Sequence, residues 1–184
     1  MRLYLVRHPE PVVNANTCYG SSDVDVAPAQ HERVCHALLS MLPRDAALYS
    51  SPLRRCADLA RRVAPELACG NVTFDPRLAE MHFGDWELRA WADIPRPEVE
   101  AWIRDTVSYR PGGGESVLQI AERVKAFHDE LLRQPHQAAA IICHAGTIRM
   151  LLGCQRGLPV FEMARYAAQV RHKIGYGEVV LLDM

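Results

Sequence analysis

Two stretches decide the fold: RLYLVRH at residues 2–8 and AAAIICH at residues 138–144. Each is a short apolar run that ends on a histidine. Runs of this length suit buried strands, since helices usually need ten or more residues. Further strands are expected at 46–50 (AALYS), 72–75 (VTFD) and 177–182 (GEVVLL). Helical spacing fills the gaps between them. Pro28 suits the first position of a helix carrying Val34, Leu38, Met41 and Leu42, stopped by Pro43. Ser51 is expected as an N-cap, with Pro52 in the first turn of a helix carrying Cys56, Leu59, Ala60 and Val63. Pro65 should bend or end that helix. Ser116 and Gln119 match a capping box ahead of Val117, Ile120, Val124, Phe127 and Leu131. Another helix starts within 147–152. Strands alternating with helices predict an α/β fold with a largely parallel sheet. Residues 76–114 hold all three tryptophans and four prolines and read as irregular, closed by Gly112-Gly113-Gly114.

The chain has 184 residues, 49% of them apolar, which suits a single domain over residues 1–184. The formal net charge is -1, which argues against a nucleic-acid binder. It leaves room for a small anionic ligand, because a few cations in one pocket suffice. Arg outnumbers Lys 19 to 2, and Arg can clamp an anion with two parallel donors where Lys cannot. No apolar run approaches the ~20 residues of a membrane span, and the N-terminal run is too short for a signal peptide. A cytoplasmic protein is expected, with no membrane partner and all six cysteines reduced. No short-spaced metal-ligand set is present, so neither a metal nor another cofactor is expected. His31, His36, His128, His136 and His172 are read as exposed or internally satisfied.

His8 and His144 are different. In an open α/β sheet, ligands bind outside the carboxyl ends of the strands. A shared sheet would bring these two histidines to one crevice.

The motifs around them resemble the histidine phosphatase superfamily, the phosphoglycerate mutase-like proteins. VRHPEP at 6–11 resembles the family's R-H-G-E-T signature, followed by Asn14 and by Gly20 and Asp23 of a G-x-x-D loop. SPLRR at 51–55 is similar to its S-x-L-x-R element and selects Arg55. LAEMHFGDWE at 78–87 is similar to L-x-E-x-x-F-G-x-W-E and selects Glu80. PGGGES at 111–116 with Arg123, and ICHAGTIR at 142–149, complete the ordered series. The E-M-x-F-G-D-W-E wording is most similar to the alpha-ribazole-5'-phosphate phosphatase branch.

The resemblance implies a three-layer α/β/α sandwich and a metal-independent phosphomonoesterase acting on a small-molecule phosphate ester. His8 is then the nucleophile, since a neutral imidazole avoids the repulsion a phosphate dianion exerts on an anionic one. Arg7 and Arg55 clamp the phosphoryl oxygens, with His144 as a further donor. Glu80 protonates the leaving alkoxide and then activates water. Asn14, Gly20, Ser21, His82 and Ala145 are candidate substrate contacts, and residues 76–114 form an inserted pocket segment. Pro9 and Pro11 depart from the family's Gly and Thr/Ser, removing a backbone N–H and a hydroxyl. Family mutases carry a large insertion, and about thirty residues separate Trp86 from Glu115, so the length favours a phosphatase. A mutase, a broad-specificity or sugar-phosphate phosphatase, a protein-directed phosphatase and a non-catalytic phosphate binder are the alternatives.

Overall fold

The computed structural model describes residues 1–68, 70–170 and 173–184. Cys69 and His172 lie outside the described residues. RLYLVR forms β1 (Arg2–Arg7), which alternates Leu3 and Leu5 to one face with Tyr4 and Val6 to the other. After it come β2 (Thr17–Cys18), α1 (Pro28–Leu39), β3 (Ala47–Ser50) and α2 (Arg54–Val63). Then follow β4 (Thr73–Phe74), β5 (Arg89–Ala90), α3 (Arg96–Arg104) and α4 (Val117–Leu131). The chain finishes with β6 (Ala138–Cys143), α5 (Ala145–Gln155), α6 (Val160–Gln169) and β7 (Val179–Asp183).

Five strands form one sheet in the order β4-β3-β6-β1-β7, parallel except for β7, which runs antiparallel to β1. α1 and α2 cover the face bearing Tyr4, Val6, Ala140 and Ile142. α4, α5 and α6 cover the face bearing Leu3, Leu5 and Ile141. The expected three-layer α/β/α sandwich with a mostly parallel sheet is therefore present. β6 lies between two parallel neighbours with all six residues buried, which fits its all-apolar sequence.

The local expectations fare unevenly. The capping box is complete: Gln119 N–H donates to Ser116 Oγ, and Ser116 N–H donates to Gln119 Oε1. Pro65 ends α2, in a 3-10 turn over Ala64–Glu66. Ser51 does not cap α2. The N-cap is Leu53, and the N–H of Arg54 is satisfied from across the loop by Asp23 Oδ1 at 2.8 Å. α1 stops at Leu39, before Pro43, because the N–H groups of Met41 and Leu42 both turn back to Leu38 O. The segment 76–114 is not wholly irregular. It contains α3, and its β5 pairs with β2 in a small antiparallel ribbon. Pro95 and Pro97 stand at the start of α3, where prolines are compatible with a helix.

Candidate active site

β1 and β6 run parallel with Arg7 opposite Cys143. The next residue of each strand, His8 and His144, therefore leaves the sheet side by side. Their ring centroids are 5.1 Å apart, and both are buried.

The two imidazoles hold their protons on opposite nitrogens. His8 Nδ1 lies 2.7 Å from the Pro9 carbonyl, which can only accept. Nδ1 therefore carries the hydrogen, and Nε2 keeps a lone pair. Burial pushes the His8 pKa down to about 3, aided by Arg55 and Arg7 and opposed by the Pro9 bond. His8 is thus a buried, neutral imidazole whose Nε2 has no hydrogen-bond partner among the described residues. Pro9 loses an N–H but supplies the carbonyl that sets this tautomer. Around His144, Arg55 Nε donates to Nδ1 at 3.3 Å, so Nε2 bears the hydrogen and donates to Ser51 Oγ at 2.8 Å. Burial, then Arg55 and His8, hold His144 well below the ordinary imidazole range. Both its ring nitrogens are engaged by protein groups. These contacts hold the His144 ring between Arg55 and Ser51 at the end of β6.

Arg55 is 1% exposed and points each branch of its guanidinium at a separate partner. Besides His144, Nη1 donates to Ser22 O at 2.8 Å and Nη2 to Gly20 O at 2.5 Å. Gly20 adopts φ +36°, and a Cβ there would meet Met81 O at 2.5 Å, so only glycine fits. Glu87 fastens this loop. Its carboxylate accepts from Ser21 N–H, the Ser21 and Ser22 hydroxyls and Phe83 N–H. Burial raises the Glu87 pKa, but these four donors together hold it below the usual carboxylate value. Arg7 reaches Ile174 O through Nη1 at 2.5 Å and lies over the Tyr176 ring at 3.8 Å.

Glu80 stands at the other side of the crevice, half-buried. Its Oε1 accepts from Met81 N–H at 3.0 Å and Oε2 from Gly146 N–H at 3.3 Å, in the first turn of α5. A Cβ on Gly146 would lie 2.3 Å from Glu80 Oε1, which explains the glycine. Arg123 holds the chain before Glu80 by donating to the carbonyls of Arg77, Ala79 and Glu80. It is fixed in turn by a two-pronged bond to Glu115, whose pKa is lowered by Arg123 against the upward push of burial.

Glu80 and Gly20 also line a cavity of about 520 Å³. Phe83, Trp91, Trp102 and Met150 supply much of its wall. The Trp91 and Trp102 rings are parallel within 8°, with centroids 6.4 Å apart. His8 and His144 are not among the residues that line it, although Ala145 and Gly146, which follow His144, are.

The five reacting groups expected from the sequence, His8, Arg7, Arg55, Glu80 and His144, converge. The secondary candidates divide. Gly20 and Ala145 line the cavity. Ser21 turns to Glu87. Asn14 sits on an exposed turn, where its Oδ1 accepts from Asn16 N–H, because its carboxamide closes a local Asx turn. His82 is exposed and absent from the cavity wall; its backbone bonds to Glu115 turn the side chain outward. Ser51, Glu87, Arg123, Tyr19 and Tyr176 were missed. Ser51, Glu87 and Arg123 sit inside the quoted motifs, so a signal was present; Tyr176 had none.

A family model described as the histidine phosphatase superfamily (branch 1) matches residues 3–174. The chain is 30% identical over 170 residues to the adenosylcobalamin/alpha-ribazole phosphatase of Escherichia coli K12, covering 89% of this chain and 83% of that one. It is 32% identical over 178 residues to a probable phosphoglycerate mutase GpmB of Proteus mirabilis, covering 90% and 79%. The mycobacterial glucosyl-3-phosphoglycerate phosphatase, solved with VO3, superposes with a TM-score of 0.80 at 25% identity, over 99% and 92% of the two chains. A relative named as a mutase thus matches nearly the whole chain, so length does not separate phosphatase from mutase as expected. Ordered motifs, sheet topology and family match agree, and the chain belongs to the histidine phosphatase superfamily, branch 1.

Proposed function

We propose that the protein hydrolyses a small phosphomonoester through a phosphohistidine on His8, with alpha-ribazole 5'-phosphate as substrate and no metal required. The observation that carries the reading is the His8 tautomer. Nδ1 is committed to Pro9 O, which leaves the Nε2 lone pair beside two arginines. In the first step Nε2 attacks phosphorus, an N–P bond forms, and the P–O bond to the alcohol breaks. Glu80, protonated, gives its proton to the departing alkoxide. In the second step Glu80, now a carboxylate, takes a proton from water as that water attacks phosphorus and frees Nε2. Arg7 and Arg55 balance charge on the equatorial oxygens throughout.

The substrate is read from the cavity. It begins at Glu80, where the leaving group must lie, and its wall is largely aromatic and aliphatic. A planar aromatic base attached to a ribose suits such a wall. The named activity of the Escherichia coli relative points the same way. In this reading residues 76–114 are the specificity segment of a single cytoplasmic domain, and the product enters cobalamin biosynthesis. A second reading, phosphoglycerate as substrate, is favoured by Arg149 on the cavity wall, which suits a carboxylate.

Two measurements test the proposal. Wild-type protein mixed with a 32P-labelled phosphomonoester and quenched in alkali should carry base-stable, acid-labile label, absent from His8→Ala. Turnover that survives His8→Ala would remove the mechanism. A kcat/KM panel of alpha-ribazole 5'-phosphate, 3-phosphoglycerate, glucosyl-3-phosphoglycerate and simple sugar phosphates should rank the first highest. A clear preference for a phosphoglycerate ester would replace the substrate.

A further inference from the structure

One wall of the crevice lies outside every motif. Tyr176, on the loop between α6 and β7, places its ring 3.8 Å from the Arg7 charge centre and 5.6 Å from the His8 ring. The same loop accepts Arg7 Nη1 at Ile174 O and donates Gly177 N–H to the Arg7 and His8 carbonyls. Tyr19 comes from the opposite side, with its ring 5.2 Å from the Arg55 charge centre. The two phenol oxygens meet at 3.2 Å. The tyrosine pair therefore bridges the two arginines beside the nucleophile.

Proton counting leaves one O–H free. Two phenols carry two O–H hydrogens, and the bond between them uses one. Among the described residues neither hydroxyl has another hydrogen-bond partner. One O–H is left to donate, flanked by two guanidinium groups, where an anionic acceptor is favoured. Either hydroxyl can supply the shared hydrogen, but it is the Tyr176 ring that lies beside both Arg7 and His8, so with Tyr19 as donor the free O–H stands on the nucleophile's side. That leaves the Tyr176 hydrogen unused. The donors expected for this place are elsewhere: Asn14 is on its exposed turn, and the His144 N–H goes to Ser51.

We propose that Tyr176 is a further phosphate-binding residue, whose hydroxyl donates to a nonbridging phosphoryl oxygen, and that Tyr19 positions and polarises it. The proposal rests on the phosphomonoesterase reading of the same crevice. Hydrogen bonds in a chain strengthen one another, which gives Tyr19 its leverage.

The test uses inorganic phosphate in isothermal titration, beside the labelled phosphoenzyme assay. Tyr176→Phe keeps the ring under Arg7 and deletes only the donor. It should bind phosphate about tenfold more weakly, the size of one hydrogen bond to a charged group. Tyr19→Phe should lose about threefold, and the double variant should match Tyr176→Phe, because Tyr19 acts only through Tyr176. Phosphate binding by Tyr176→Phe at wild-type affinity would overturn the assignment; should that variant not fold, an unchanged affinity in Tyr19→Phe would do so. Losses that multiply in the double variant would overturn the positioning role of Tyr19. If phosphate binding depends on Tyr176 while wild type forms no phosphohistidine, the tyrosine site stands and the hydrolytic reading falls. If phosphohistidine forms and Tyr176→Phe keeps full affinity, the reverse holds.

Discussion

α2 and α3 flank the same crevice and are built in opposite ways. α2 buries six of its ten residues, Arg55 among them, and its first turn is tied to Asp23. α3 buries none of its nine. It holds Trp102 in a cluster of edge-on rings, where Phe83 and Trp86 stand 5.9 and 5.8 Å away. Trp86 is the fully buried anchor of that cluster, and its Nε1 donates to Glu98 Oε2 at 2.6 Å. The expected reacting groups are thus held by sheet register and backbone hydrogen bonds, and the cavity wall mainly by packed aromatic side chains, with the Trp86–Glu98 bond as an anchor. Rigid placement serves charge stabilisation, which fails with small displacements. A wall held mainly by packing can change its side chains without moving the reacting groups, which suits a family whose members differ in substrate.

The sharpest way to break this contrast is inside α2. Arg55→Lys keeps a positive charge but cannot satisfy Ser22 O, Gly20 O and His144 Nδ1 together. A loss of about 10³-fold in kcat/KM is expected. Steady-state kinetics on the preferred ester check it, and a loss under tenfold would show that the carbonyl cage is not needed. Glu80→Gln comes next, with kcat falling about 10²-fold on an alkyl ester. The loss in forming the phosphoenzyme should shrink with 4-nitrophenyl phosphate, whose leaving group needs no proton. Equal losses on both esters in single-turnover assays would take the acid role from Glu80.

The pH dependence of stability probes the same region. His8 titrates at about 3 in the fold and near 6.5 when unfolded. Below pH 6.5 the unfolded chain therefore binds the extra proton, and stability falls as the pH drops from about 6.5 towards 3. The slope from His8 alone reaches about 1.4 kcal/mol per pH unit. Urea unfolding between pH 7 and 5 should show it, and His8→Asn should remove the His8 share of the slope while the share of His144, also held below its ordinary range, stays. An unchanged slope in that variant would mean that His8 is charged in the fold.

On the packed side the effects are smaller. Trp102→Ala should raise KM for an aromatic ester about tenfold, through lost stacking and buried area. Its kcat/KM on a minimal ester such as phenyl-free ethyl phosphate should move less than threefold. Equal loss on both would show that α3 supports the reacting groups after all.

The same contrast explains what was legible in the sequence. The histidines at the ends of β1 and β6 could be found because a strand end and a neighbouring residue type suffice to place them. Arg55 was found through its motif, although the reason for its burial, three carbonyl and imidazole acceptors from other segments, is not local. α3 was missed because it has no buried stripe and two prolines near its start. α6 was missed because its fully buried face is only Met163, Ala164 and Ala167, with no run of branched aliphatic residues to mark a stripe. Ser51 was read by its local pattern as a cap, and tertiary contact with His144 won instead. Tyr176 depends on a loop that only the fold brings to Arg7.

The smallest expected effects fall on two residues that motif reading placed at the phosphate or substrate. Asn14→Ala removes an exposed Asx turn, and His82→Ala removes an exposed ring held only by its backbone. Each should change kcat/KM less than twofold and stability by under about 0.5 kcal/mol, as for surface substitutions generally. The comparison that matters is with Tyr176→Phe under identical conditions. If Asn14→Ala weakens phosphate binding tenfold and Tyr176→Phe leaves it intact, the 14–16 turn must rearrange on binding to bring its amide inward. In that case a loop held only by local hydrogen bonds would be supplying a phosphate donor, and rigid placement would no longer distinguish the reacting side of the crevice from its wall.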